Sequence, residues 1–336
     1  MTDYYRSGAE QRIGRTTATL TLSDRLGHLQ ARWGINRYGR RVEPGLYALG
    51  DPGVDSPVFA SANYEPSFDA LRSALDGRDA YIMVLDTKGI NVWCAAGKGT
   101  FGTDELVRSV EATTLGEVVK HRKLILPQLG APGVAAHEVK KRTGFLIEYG
   151  PVRAADLPRY LDSRQATPEM RRVQFGLRDR LAVVHVEFVH SILPMLIAAA
   201  VAFFIGGLIA AAGIAATIFA GAVFFPVLLP WLPTRDFSSK GFVLGWIVTL
   251  PFAIAAYLAS ATVPVWFRLC WSLVYLLLLP PLTAFIALNF TGSTSFTSKT
   301  GVVREIFKYI PIMAVSFAAG LILMIVLLIV RLSGGA

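Results

Sequence analysis

Four stretches of this chain carry no charged side chain: Ser191 to Thr234, Gly241 to Phe267, Leu269 to Ser298 and Tyr309 to Val330. About 20 apolar residues take a helix across the hydrocarbon core of a bilayer, where the backbone must satisfy its own hydrogen bonds. The first stretch holds two spans hinged near Gly213 and each of the others one. This predicts five helices, at about 191–212, 214–233, 241–260, 265–289 and 309–331, in a transmembrane domain over 191–332. The chain is 53% hydrophobic over 336 residues with a mean hydropathy of +0.47, too apolar for a wholly soluble protein of this size. Residues 1–165 are long enough for one soluble domain with its own core. Residues 166–190, polar and Arg-rich, read as a basic linker.

Cytoplasmic loops collect Lys and Arg. Arg171, Arg172, Arg178 and Arg180 precede the first span, Arg235 and Lys240 follow the second, and Lys299, Arg304 and Lys308 follow the fourth. The other side offers only Arg268 and Arg331. The expected protein is multi-pass in the inner (cytoplasmic) membrane, with its N-terminal domain in the cytoplasm and its C-terminus external. The net charge of +9 is then mostly topology, plus a basic collar that faces the anionic lipid bilayer. No basic patch with interleaved aromatics marks a nucleic-acid surface, so no nucleic acid is expected as a partner. Met1 to Arg15 is polar and has no secretory core. No Asp, Glu or Lys stands in mid-membrane, so an ion-coupled transporter lacks its groups. Pro280-Pro281 should kink the fourth span. Only two cysteines are present, Cys94 and Cys270, which excludes a disulfide scaffold, a zinc finger and an iron–sulfur cluster built from this chain.

In the first half, strands are read at Thr16 to Leu22, Gly45 to Leu49, Val58 to Ala62, Ala80 to Asp86, Lys123 to Leu126 and Gly144 to Glu148. Helices are read from a Ser23 cap to Trp33, over Pro66 to Leu75, after Asn91, from a Thr103 cap to about Thr113, and after a lead-in of Ala131-Pro132-Gly133 to Lys141. Alternation of this kind argues for an open α/β sheet. Ligands of such sheets sit outside the carboxyl ends of the strands. That singles out the loops Thr87 to Thr103, Pro127 to Gly133 and Tyr149 to Arg153.

The first of these loops contains Asn91-Val92-Trp93-Cys94-Ala95-Ala96-Gly97-Lys98. By itself this is either a helix that buries a small thiol or one that offers a ligand to something flat and soft. Asn91 is a good N-cap, which sets Cys94 at the third helical position, where the dipole and unpaired amides favour a thiolate. Ala95, Ala96 and Gly97 leave room for a large partner to approach the backbone. A phosphate-loop reading fails, because Val92 stands where the first Gly belongs and Gly99 follows the Lys. No Asp lies two residues before any of the five histidines, so the D-x-H-x-x-G element that supplies His to cobalt is absent. His121 is read as a solvated or core-edge residue, His185 and His190 as interfacial, and Cys270 as packing.

The octapeptide closely resembles the cap helix of the HgcA family, the corrinoid proteins of microbial mercury methylation. The likeness continues through Gly99-Thr100-Phe101-Gly102-Thr103-Asp104-Glu105-Leu106, His121 to Leu129, and Tyr149-Gly150-Pro151-Val152-Arg153, and five C-terminal spans match as well. The soluble half is also similar to the corrinoid domain of the corrinoid iron–sulfur protein large subunit, in which a Thr replaces the Cys and cluster cysteines are present. The resemblance implies an α/β Rossmann-like corrinoid-binding domain followed by an all-α five-helix transmembrane domain. It implies a cobalamin-like corrinoid bound base-off, with Cys94 as the catalytic residue and lower axial ligand of cobalt. Cofactor contacts carry over to Asn91, Val92, Trp93, Cys94, Ala95, Ala96, Gly97, Lys98, Gly99, Thr100, Gly102, Thr103, Gln128, Gly130, Gly150, Pro151 and Val152. The implied activity is corrinoid-dependent methyl transfer to Hg(II). The implied partners are a ferredoxin-type iron–sulfur protein (HgcB) and a methyltetrahydrofolate-linked methyl donor protein. Two alternatives stay open: a corrinoid methyl carrier with another acceptor, and a membrane protein whose soluble domain only binds a ligand.

Overall fold

Ala80–Leu85 is buried at every position and forms the middle strand of a seven-stranded sheet, the placement expected of an unbroken apolar run between turns. The structure, a computed structural model, describes residues 4–7, 11–35, 40–259, 262–294 and 299–334. Ser260, the expected end of the third span, and residues 1–3, 8–10 and 36–39 of the expected soluble domain lie outside the described residues. The chain divides into two compact units, Met1–Val173 and Gln174–Ala336.

The first unit runs β1 (Tyr4–Ser7), β2 (Gln11–Thr16), α1 (Leu22–Arg32), β3 (Gly45–Leu49), β4 (Val58–Ala62), α2 (Glu65–Ala74), β5 (Ala80–Leu85), α3 (Val92–Lys98), α4 (Thr103–Ala112), α5 (Leu115–Val118), β6 (Lys123–Leu126), α6 (Ala136–Thr143), β7 (Leu146–Tyr149), α7 (Leu157–Ser163) and α8 (Pro168–Arg171). The strand order is β1-β2-β3-β5-β4-β6-β7. β5, β4, β6 and β7 are mutually parallel, so Leu85, Ala62, Leu126 and Tyr149 end on one edge. β3 is antiparallel to β5, and β1 to β2, which makes the sheet mixed.

Each face of the sheet buries its own cluster. Val58, Ala60 and Ala62 of β4 and Tyr81, Met83 and Leu85 of β5 pack with Val92, Ala95 and Leu106 from α3 and α4 and Val139 from α6. Phe59, Ile82, Val84 and Ile125 pack on the opposite face with Phe68 and Leu71 of α2 and Leu157 and Leu161 of α7. Full burial of an aliphatic or aromatic side chain contributes about 1.5–3 kcal/mol, so a one-residue register slip that exchanged the faces would undo both clusters. The helix that follows β4 therefore covers one face and the helix that follows β6 the other. Between those two neighbouring strands lies the topological switch point.

The elements differ in places from the sequence reading, each for a local reason. The strand expected at Thr16 to Leu22 lies earlier, at Gln11–Thr16. Thr21, not Ser23, caps α1 in a reciprocal box with Asp24. Gly102 caps α4, while Thr103 Oγ1 accepts the amide of Ala135 at 2.9 Å. After the expected Ala131-Pro132-Gly133 lead-in, α6 starts at Ala136 and runs past the expected Lys141 to Thr143, where Gly144, at φ 77°, ends it.

In the second unit α9 (Leu177–Phe219), a π-helical turn (Ala220–Phe224) and α10 (Phe225–Leu228) form one long run, followed by α11 (Phe237–Leu258), α12 (Val265–Asn289) and α13 (Lys299–Leu332). Among the described residues four helices here are long and apolar enough to cross a membrane, the first of 52 residues. At 1.5 Å per residue, 52 residues would span about 78 Å if straight, far more than one hydrocarbon core. The helix is broken at Gly206-Gly207, where Gly207 takes φ 67°, and not near Gly213, which packs against Phe252 and Leu279. Pro280 and Pro281 do not divide α12. Gly241 and Gly245 bring α11 against it so closely that an added Cβ would lie 2.6 Å from Ala284 Cα or 2.8 Å from Pro280 Cα. Arg180 Nη1 donates to the carbonyl of Val227 at 2.6 Å and Lys240 Nζ to that of Leu229 at 2.7 Å, which satisfies orphan carbonyls near the end of α10.

Candidate functional site

The switch point opens into a cavity of about 250 Å³. Ala60 and Ser61 of β4, Ser67, Ala70 and Leu71 of α2, Leu126 at the end of β6 with Pro127 and Leu129 beyond it, and Gly150, Pro151 and Val152 after β7 line it. Its remaining wall includes Asn91, Val92 and Trp93, the entry to α3. The pocket is mostly apolar with a few polar groups, the usual make-up of a small-molecule site.

Asn91 starts α3 as the sequence predicts. Its Oδ1 accepts the amide of Cys94 at 2.9 Å, and Gly99, at φ 82°, ends the helix after seven residues. Val92, Ala95 and Ala96 face the core, which leaves Cys94 and Trp93 half-buried and Gly97, Lys98 and Gly99 exposed. Among the described residues the Cys94 thiol has no hydrogen-bond partner, and it is the one cysteine in the sheet unit. At Gly97 an added Cβ would meet nothing.

The loop from β5 into α3 is fixed by a residue the sequence reading did not single out. Asn63 Oδ1 accepts the amides of Thr87 at 3.1 Å and Gly89 at 2.9 Å, and Asn63 Nδ2 donates to Asp86 Oδ1 at 3.2 Å. Thr87 Oγ1 lies 2.7 Å from the carbonyl of Ile90, to which it donates, and Glu105 Oε1 accepts the amide of Asp86 at 2.9 Å. The turn includes Lys88 at φ 58° and Gly89 at φ 71°, and these bonds hold that conformation. They also aim α3 at the cavity.

The structure sorts the sequence-derived site residues into two groups. Asn91, Val92, Trp93, Gly150, Pro151 and Val152 meet at the cavity. The others do not line it. Ala95 and Ala96 are buried in the core, and the smallness of Ala96 serves the Gly133 loop, where an added Cβ would lie 3.0 Å from Ala96 Cα. Gly130 sits under the Phe101 ring, 2.6 Å from where its Cβ would be, and Gly102 lies as close to the Gly99 carbonyl, 2.7 Å. The amide of Thr103 donates to Gly133 O at 3.2 Å and that of Thr100 to Ala95 O at 3.0 Å. Gln128 Oε1 accepts from Arg171 Nη1 at 3.0 Å. These residues brace the loops around α3. Two phenols, Tyr149 half-buried and Tyr160 buried, brace the far side: Tyr149 donates to the carbonyl of Val134 at 2.7 Å and Tyr160 to Glu148. Burial raises both pKa values, and the bond to Glu148 raises that of Tyr160 further, so both stay protonated donors. His121 is not part of the site. Its Nε2 bonds the carbonyl of Ser56 at 2.9 Å and its Nδ1 accepts the Lys123 amide, at the opposite end of β6.

The sequence reading missed the β4–α2 wall of the cavity, Ser61, Ser67, Ala70 and Leu71. The strand and helix were both legible, but only the pairing of β4 with β6 makes that end the switch point. The one cluster of potential metal ligands among the described residues, Asp24, Glu65 and Asp69, is hard oxygen chemistry and already holds Arg72.

Comparison with known proteins falls on this same unit. The model of a family described as the CO dehydrogenase/acetyl-CoA synthase delta subunit matches residues 24–161. The chain is 30% identical over 128 residues to the acetyl-CoA decarbonylase/synthase complex subunit gamma of Methanopyrus kandleri, covering 38% of this chain and 27% of that protein. It is 32% identical over 124 residues to the subunit of the same name from Archaeoglobus fulgidus, covering 36% and 26%. For that of Methanothermobacter thermautotrophicus the figures are 31% over 128 residues, 38% and 28%. The chain thus spans about a quarter of the length of the curated relatives it matches. The matched family region contains Asn63, the Cys94 helix and the Gly150 loop.

Proposed function

We propose that this chain is a membrane-anchored, corrinoid-dependent methyltransferase with Cys94 as the lower axial ligand of cobalt and Hg(II) as the methyl acceptor. The observation that carries the reading is the placement of Cys94. It is a half-buried thiol, without a hydrogen-bond partner among the described residues, on a helix whose first residues open onto the switch-point cavity. The likeness to subunits of an acetyl-CoA decarbonylase/synthase complex supports one-carbon chemistry at this site.

The residues fit a corrinoid. A thiolate suits a soft metal, and of the five histidines His28 and His121 are engaged by Asp69 and Ser56. Gly97 and Gly99 leave the outer face of α3 open, and the apolar cavity wall excludes water. When bound, a corrinoid supplies a cobalt centre that can carry a methyl group. Asn91 fixes the first turn of α3, Asn63 and Glu105 fix the turn before it, and Cys94 would hold the metal and donate sulfur electron density to it. With a corrinoid bound, that donation would favour loss of a methyl group with its electron pair, as an electrophilic Hg(II) substrate requires. Turnover with a bound corrinoid would need electrons and a methyl group from outside the chain. The two cysteines of the chain cannot bind a cluster, which calls for an external ferredoxin-type donor (HgcB) and a methyltetrahydrofolate-linked methyl source.

Anaerobic Hg(II) methylation, with cobalt content measured on the same samples, tests this reading. Cys94→Ala should abolish methylmercury formation while the protein still reaches the membrane. Cys94→Thr should also fail with Hg(II). Normal yield from either variant removes the axial-ligand role. A wild-type chain that takes up no corrinoid under anaerobic reconstitution sinks the whole reading. The complex named in the relatives favours a second reading, a methyl carrier with a different acceptor. Methyl uptake by wild type without transfer to Hg(II) would decide for it.

A further inference from the structure

The helical unit contains a cavity of its own, about 540 Å³, where Arg235 and Asp236 lead into α11 and Arg304, Glu305 and Lys308 stand in the first turns of α13. Both carboxylates are already engaged. Asp236 accepts from Lys308 Nζ at 2.9 Å and Tyr309 Oη at 2.8 Å. Glu305 accepts the amides of Phe237 and Ser238 at 3.2 and 3.1 Å and so caps α11. Arg235 and Arg304, both exposed, form no ion pair or hydrogen bond with any described residue. Arg304 lies near enough to help hold Asp236 ionised, but both carboxylates take their hydrogen bonds from other donors. Two guanidinium groups on one concave wall therefore keep their own donors for a phosphoryl or carboxyl group. Thr234 on the same wall is a β-branched residue at φ 78°, a strained conformation of the kind found at binding sites.

The depth of the cavity indicates which anion. The charge-free stretches begin at Gly241 and Tyr309, directly after the last charged residues of the two segments, Lys240 and Lys308. If these helices cross the bilayer, the cavity lies at headgroup level. Next to it on α13, Phe307 and Ile312 are 78% and 50% exposed, which suits acyl chains and gives nothing to a soluble anion. We propose that this cavity binds the phosphodiester headgroup of an anionic phospholipid, held by Arg235 and Arg304. The proposal rests on the helices being membrane-spanning and not on the corrinoid reading.

The test uses the full chain in nanodiscs of phosphatidylcholine mixed equally with phosphatidylglycerol, transferred to detergent, with retained lipid measured by mass spectrometry. Wild type is expected to retain phosphatidylglycerol about 30-fold over phosphatidylcholine, the scale set by two basic residues near a membrane surface. Arg235→Gln/Arg304→Gln should lose most of that preference, while Arg331→Gln, at the far end of α13, should keep it. Equal retention of both lipids by wild type overturns the proposal without any variant. An unchanged preference in the double variant overturns it too. Inorganic phosphate that displaces the lipid completely would assign the cavity to a soluble oxyanion instead. None of these readouts depends on cobalt, so their failure is separate from failure of the methyl-transfer reading.

Discussion

Asn91 shows how much one side chain can set at this site. Its Oδ1 occupies the Cys94 amide at 2.9 Å, which fixes the first turn of a helix only seven residues long. Helices of that length are unstable alone. Asn91→Ala should cost about 1 kcal/mol and let the turn open, so Cys94 in the full chain should alkylate faster with iodoacetamide. Asn91→Asp keeps an acceptor and should restore the slow rate; an alanine variant as slow as wild type would show the cap to be dispensable. Glu65 poses the opposite problem. It buries Oε2 without a hydrogen-bond partner among the described residues, and Arg40 Nη1 lies 3.6 Å away. Burial raises its pKa more than Arg40 lowers it. The folded state therefore holds that proton more tightly than the unfolded chain. The resulting stability is present below the ordinary glutamate pKa and is lost as pH rises through the raised one. Glu65→Gln should raise the unfolding temperature at neutral pH and leave it unchanged in acid below the carboxylate range. An equal shift at both pH values would refute the argument.

At the scale of elements, the turn from β5 into α3 decides where Cys94 stands, and Asn63 from the neighbouring strand decides the turn. Asn63 is 2% exposed and Thr87 fully buried. Removing the Asn63 side chain leaves the amides of Thr87 and Gly89 without acceptors at a cost of about 3 kcal/mol. Asn63→Ala should therefore speed hydrogen exchange at 87–91 in the full chain and lower its unfolding temperature. Asn63→Asp keeps the acceptor but sets a second carboxylate against Asp86 Oδ1, which now accepts from Nδ2 at 3.2 Å. It should recover only part of the loss, and full recovery would mean that the Asp86 contact carries no weight. Local signals made α3 legible in the sequence: an Asn cap, a short apolar turn and a glycine stop. β5 was legible as an unbroken apolar run. Asn63 was not, because its importance comes from the pairing of β4 with β5, and a strand's neighbours are not written in its own residues. The early part of the chain misled for a related reason. Alternation around Thr16 to Leu22 mimics a half-buried strand, yet Leu22 is 79% exposed and Thr21 with Asp24 starts a helix there. In the helical unit, composition fixed which segments are apolar. The helix break went to Gly206-Gly207, not Gly213, because all three are glycines and only packing against Phe252 and Leu279 distinguishes the last.

At the scale of the whole chain, the sheet unit and the helical unit each bury hydrophobic clusters of their own. A unit with its own core folds on its own, so the proposed cofactor site should not need the helical unit. Met1–Val173 alone should fold cooperatively and, reconstituted anaerobically, bind corrinoid in the same ratio as the full chain. One surface threatens that experiment. Leu22, Leu26, Leu29 and Trp33 follow one helical stripe of α1 and are 79%, 58%, 46% and 43% exposed, an apolar patch that invites self-association. Leu22→Glu/Leu26→Lys lies on the side of α1 away from His28, which reaches Asp69 at 2.6 Å, and should improve solubility without changing corrinoid uptake. If the isolated unit melts cooperatively yet takes up no corrinoid while the full chain does, the site is incomplete within the sheet unit. The helical unit would then have to supply part of it.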